Sequence, residues 1–93
     1  MRQIERTKAF KRDFNKIIST PKHNGVEALL VPIFDLLSKD KPLPHKNFDH
    51  QLTGNWKDHR NCHIKPDLIL IYRKLSNDIL QLVRLGSHSE LGL

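Results

Sequence analysis

The sequence predicts an α+β fold, with two amino-terminal helices packed on one face of a small, largely antiparallel four-stranded sheet. Apolar residues between Phe10 and Leu37 recur at helical spacing. From Phe48 onward the pattern changes to short apolar runs separated by turn residues. Helices followed by strands, without alternation, is the order of an α+β chain and not of a parallel α/β sheet.

Arg2 to Glu5 contains Ile4 and reads as an opening strand. Thr7 then caps a helix, its hydroxyl accepting a backbone N–H. Phe10, Phe14, Ile17 and Ile18 form the helix's apolar stripe, and Lys8, Lys11, Arg12 and Lys16 its opposite face. Thr20 and Pro21 end it, because a residue before proline avoids the helical region. A second helix begins near Asn24, with the stripe Val26, Leu29, Leu30, Ile33, Leu36 and Leu37. Pro32 lies inside it and is expected to kink or split it. Ser38 to Asn47 is a polar connection.

Trp56 to Ile64 reads as a strand, with Trp56, Cys62 and Ile64 under the helices and Lys57, His59, Asn61 and His63 on the open face. Cys62 is then a small buried hydrophobe. Lys65-Pro66-Asp67 is a turn. Leu68 to Tyr72 is a continuous apolar run, as in a central strand covered on both faces. Ser76-Asn77-Asp78 turns the chain into a last strand, Ile79 to Leu85, stopped by Gly86.

At 93 residues the chain is expected to form one domain, residues 1–93. Ala28 to Phe34 is the longest apolar stretch, seven residues against the roughly 20 of a membrane span. The amino terminus lacks the apolar centre of a signal peptide, and a single cysteine forms no intrachain disulfide, so a reducing, cytoplasmic setting is expected. Sixteen Lys+Arg against ten Asp+Glu give +6 with histidine neutral. Such a balance points to nucleic acid or an acidic partner, or simply to solubility.

Five of the six histidines lie between His45 and His88. A zinc reading of His59, Cys62 and His63 fails on spacing, because on a strand Cys62 faces away and the two histidines lie roughly 13 Å apart. No metal and no cofactor is therefore expected. Singly, His50 reads as a surface residue, Asp67 as a turn residue, Arg84 as a rim ion pair and His88 as a terminal cap. Together, imidazoles, one carboxylate and one guanidinium on the open side of a basic domain suit RNA cleavage. The 2′-hydroxyl is the nucleophile, His and Asp carry protons, and Arg binds phosphate.

Three stretches carry a family resemblance: Asp49-His50-Gln51-Leu52-x-Gly54-x-Trp56-Lys57; Arg60-x-Cys62-His63-Ile64-x-Pro66-Asp67-x-x-Leu70-Ile71-Tyr72; and Arg84-Leu85-Gly86-Ser87-His88-Ser89-x-Leu91. They resemble the YafQ toxins of the RelE-like group in type II toxin–antitoxin systems. The resemblance implies a RelE-like fold and a ribosome-dependent endoribonuclease that cuts mRNA in the decoding site. It also implies contact with ribosomal RNA and a cognate acidic antitoxin of the DinJ kind, which alone contacts operator DNA. Membranes play no part.

On that pattern the catalytic set is His50, His63, Asp67, Arg84 and His88. His88 would be general acid, Asp67 and His63 the base or its orienter, Arg84 the phosphate ligand, and His50 a further acid–base group. Lys57, His59 and Asn61 would contact substrate. Asn61 stands where YafQ has an acidic residue, Leu68 where it has tryptophan, and Gly92 where the family commonly has an aromatic. Base–aromatic stacking is worth about 1–3 kcal/mol, so its loss would weaken activity or codon preference. A catalytically weak relative, acting through antitoxin binding and autoregulation, is the alternative. ParE-like proteins, similar in fold but aimed at gyrase, lack the His/Asp/Arg set.

Overall fold

Thr7 starts the first helix as its composition predicts: its hydroxyl accepts the Phe10 N–H at 3.0 Å, while its own O–H donates to the Val83 carbonyl at 2.7 Å. The computed structural model, which describes residues 1–93, places helix α1 at Lys8–Ile18, ended by Ser19 ahead of Pro21. Phe10 and Ile17 are buried, Phe14 stacks on Phe10 with ring centres 6.0 Å apart, and Ile18 faces out.

Helix α2 runs unbroken from Val26 to Ser38, with Pro32 inside it. Proline there leaves the Ala28 carbonyl without its helical partner. Both residues are on the exposed side, where water can hydrate that carbonyl, so the helix is not split. Val26, Leu30, Ile33 and Leu37 form the buried stripe; Leu29, expected within it, is 45% exposed.

The strands are β1 (Gln3–Arg6), β2 (His50–Gln51), β3 (Arg60–Lys65), β4 (Leu68–Lys74) and β5 (Ile79–Gly86), in the order β1-β5-β4-β3-β2. The sheet therefore has five strands where four were expected. The fifth, β2, is two residues that pair antiparallel with β3, His50 opposite Asn61. The sheet is also mixed, because β1 runs parallel to β5 while the other pairings are antiparallel. A third, four-residue helix α3 (His88–Leu91), also unforeseen, closes the chain.

Alternation along β4 divides the core. Leu68, Leu70 and Tyr72 join Cys62, Ile64, Leu80, Leu82 and Leu85 beneath α1 and α2. Each such large apolar side chain, fully buried, contributes about 1.5–3 kcal/mol relative to exposure. Ile69 and Ile71 point the other way, against Leu91, with Leu52, Trp56 and Val83 around them. The second face, expected to be open, is thus partly roofed by α3.

Trp56 corrects the sequence reading. It ends a single 3-10 turn, Gly54–Trp56, and its indole N–H donates to the Leu91 carbonyl at 3.2 Å, on the face away from α1 and α2. Asp58 follows in the left-handed region (φ 70°), so β3 begins only at Arg60. His59 and Lys57 precede the strand and do not lie on it.

Candidate active site

Pro66-Asp67 is the tight turn between β3 and β4, and it holds Asp67 at the tip of the hairpin. Facing it, Ser87 and Glu90 form a capping box at the start of α3. The Ser87 hydroxyl accepts the Glu90 N–H at 3.2 Å, and Glu90 Oε1 accepts the Ser87 N–H at 3.0 Å. The box sets His88 as the first helical residue, with its backbone N–H left free by helix geometry. Asp67 Oδ1 takes up both groups of His88: the backbone N–H at 3.1 Å and the ring Nδ1 at 2.8 Å. These bonds hold the Asp67 carboxyl below its usual range. Gly86 allows α3 to fold back this closely, since a Cβ there would meet Glu90 Oε1 at 3.3 Å and Leu91 Cδ2 at 3.5 Å.

His63, on β3, lies edge-on to His88 with ring centres 5.3 Å apart. Its pKa is lowered from 6.5, chiefly by burial and then by the charges of His88 and His50, with Asp67 opposing. The buried Asn47 donates to the His63 carbonyl at 2.7 Å. His50 Nδ1 lies 2.7 Å from the Phe48 carbonyl. A carbonyl only accepts, so Nδ1 carries the proton and Nε2 of the neutral ring is a free acceptor. Four expected site residues, His50, His63, Asp67 and His88, therefore gather on one side of the sheet.

Arg84 is placed differently. Its Nε and Nη2 donate to the two carboxylate oxygens of Asp13 on α1, at 2.6 and 3.2 Å, leaving Nη1 without a protein partner. Lys57 and His59 contact each other and Trp56: His59 Nδ1 donates to the Lys57 carbonyl at 3.1 Å, and its ring centre is 5.4 Å from the indole. Neither shares a contact with the imidazole cluster. Asn61 is only 4% exposed, paired with Ile71 and His50 in the sheet, and is a floor residue beneath the site.

Three contributors escaped the sequence reading. Asp13 and Asn47 leave no local signal, because their partners lie 71 and 16 positions away. The capping box does leave one, the Ser-x-x-Glu pattern at 87–90.

Beside Asp67, a cleft of about 610 Å³ is lined by Lys16, Lys22, His23, Lys65 and Glu90 among others. Lys65 Nζ donates to the Lys22 carbonyl at 3.1 Å, and burial together with this ammonium lowers the His23 pKa. No group of three or more His, Cys, Asp or Glu side chains converges on one point. No helix is long and apolar enough to cross a membrane.

The model of the YafQ family, bacterial toxins of type II toxin–antitoxin systems, matches residues 2–92. The mRNA interferase toxin YafQ of Escherichia coli K12 is 34% identical over 90 residues, covering 97% of this chain and 95% of that protein. A metal-bound toxin from Helicobacter pylori superposes with a TM-score of 0.86 at 43% identity, covering 98% of this chain and 99% of that one. YafQ in the E. coli DinJ–YafQ complex does so with a TM-score of 0.81 at 34% identity, covering 97% and 96%. The arrangement of turn, capped helix and imidazoles thus sits on a shared framework, and the chain belongs to the YafQ family of type II toxin–antitoxin toxins.

Proposed function

We propose that this chain is a ribosome-dependent endoribonuclease that cleaves mRNA in the decoding site, using the RNA's own 2′-hydroxyl. The row His63, His88 and Asp67 carries the reading, because it supplies two imidazoles in different environments beside one carboxylate. His63 is partly buried between imidazole neighbours, whereas the ring of His88 is bonded by a carboxylate.

Asp67, with its pKa depressed, is a weak base and serves to orient His88. Its bond to Nδ1 fixes the ring and aims Nε2 of His88 outward, the placement a general acid needs. His63 is disfavoured as a cation by burial and by its imidazole neighbours, so it is neutral and suits the base. His63 takes the 2′-hydroxyl proton as that oxygen attacks phosphorus, and His88 protonates the departing 5′ oxygen. The products are a 2′,3′-cyclic phosphate and a 5′-hydroxyl. The free Nη1 of Arg84, its guanidinium fixed by Asp13, supplies charge to the phosphate. His50, with Nε2 open, completes the acid–base set, and the basic cleft beside Asp67 suits the flanking RNA backbone or ribosomal RNA. Lys57 and His59 would lie at the margin of the RNA path.

The related H. pylori toxin was crystallised with metal bound, but the donors here do not fit a resident metal. Cys62 is fully buried, and no three candidate ligands converge. Proton transfer and charge stabilisation then fall to the side chains alone, and chelator should leave cleavage unchanged. E. coli YafQ forms a complex with DinJ, which supports an antitoxin of that kind for this chain; the antitoxin, acidic against the basic toxin, would be the member of the pair that contacts operator DNA.

Purified protein added to ribosomes programmed with mRNA tests the reading. Cleavage yielding cyclic phosphate ends, abolished by a 2′-deoxy nucleotide 5′ of the cut, is expected. Intact mRNA with folded protein would leave the alternative, a weak toxin acting through its antitoxin.

A further inference from the structure

The family resemblance leads one to expect an aromatic at position 92, yet Gly92 is a left-handed helix cap (φ 70°) with no side chain to offer. One aromatic does project into solvent beside the imidazoles. Phe48 is 64% exposed, and its ring centre is 5.5 Å from that of His63.

Its backbone is held in a conformation that a bulky residue rarely adopts, φ 47° and ψ 47°. Such strain persists only where the surroundings over-determine it. Here the residues on both sides do. Asn47 is buried and bonded to the His63 carbonyl, while Asp49 accepts hydrogen bonds from the Tyr72 hydroxyl and from Arg60. The chain is clamped before and after Phe48, and the phenyl ring projects outward. The Phe48 carbonyl meanwhile accepts from His50 Nδ1, so the same residue positions an imidazole.

We infer that Phe48 is a nucleobase-stacking platform, on which a base of the mRNA next to the cut lies flat while its ribose and phosphate reach His63 and His50. The inference rests on the endoribonuclease reading. Phe48, His63 and His88 form a continuous row of rings in contact, with neighbouring centres 5.5 and 5.3 Å apart, so a base on the outer face of Phe48 has its own sugar and phosphate beside His63. Glycine would relieve the left-handed backbone at this position, so the phenyl ring is kept there at a conformational cost.

The experiment measures ribosome-dependent cleavage by Phe48→Leu, Phe48→Trp and wild type, on mRNAs carrying an abasic nucleotide at each position flanking the cut. Phe48→Leu, apolar but without a π face, should lose roughly 5- to 150-fold in kcat/KM, and Phe48→Trp should retain activity. At one position the abasic substitution should cost wild type a similar factor and cost Phe48→Leu nothing further, the non-additivity of a shared contact. Additive losses at every position, or full activity in Phe48→Leu, would overturn the platform. A second measurement does not depend on turnover. A non-cleavable 2′-deoxy-substituted oligonucleotide added to the full chain should move the Phe48 ring-proton resonances upfield, and unmoved resonances in the bound complex count against stacking. Wild-type protein that binds this oligonucleotide with those shifts but cuts nothing on ribosomes would sink the enzyme reading and leave the platform standing.

Discussion

Asp13 accepts three hydrogen bonds from β5, two from Arg84 and one from the Leu85 N–H at 3.0 Å. It is mostly buried, so losing the carboxylate strands a guanidinium and an amide together. Asp13→Ala should lower stability by about 1.5–3 kcal/mol, read as a shift of the urea midpoint, and should also slow cleavage by releasing Arg84. His63 gives the pH dependence. Its folded pKa lies below 6.5, so the unfolded chain binds protons first as pH falls. Stability from this group is therefore complete above 6.5 and declines below it, and the acid limb of kcat/KM should lie below 6.5 as well. A pH–rate profile with that limb above 6.5 would remove His63 as the base. At this scale the sequence was informative about chemistry and allowed Arg84 an ion pair, but it was silent about the partner. His50, His63, Asp67 and His88 were legible as residue types, whereas Asp13 as the partner of Arg84 is fixed by folding alone.

Helix α3 shows what a short element can do. Four residues cannot hold a helix by propensity, and this one relies on its capping box, on Leu91 packed beneath and on the Lys16–Glu90 ion pair at 3.0 Å. Ser87→Ala should cost about 1 kcal/mol and, because His88 is the next residue, should reduce kcat more than KM. Backbone bonding and Lys16 lower the Glu90 pKa to about 2. Its contribution is full above the ordinary value of 4.5 and lost as pH falls towards 2, where α3 should fray, visible as a fall in the amide protection factors at 88–91. The two long helices were legible because their stripes repeat over many positions. Residues 56–59 were misread as strand because alternation also occurs in turns. Only the left-handed Asp58 breaks the pattern, and aspartate tolerates that region without announcing it.

The whole molecule is closed by its first strand. β1 shields the outer edge of β5, and Arg2 ties it to Asp40 at 3.0 Å and to the Ser76 carbonyl. Deleting residues 1–6 should strongly destabilise the chain and promote association through the bared edge, measured by thermal melting and sedimentation. This parallel pairing was illegible because β1 is exposed along its length and offers only Ile4 as an apolar mark. The chain's lone thiol gains a use from the same closure. Cys62 is fully buried beneath the helices, and burial pushes its pKa up, so reagents can capture it only when the sheet and helices separate. With capture slower than reclosing, the rate of alkylation in native buffer follows the population of the opened chain and would rank the variants above by stability without denaturant.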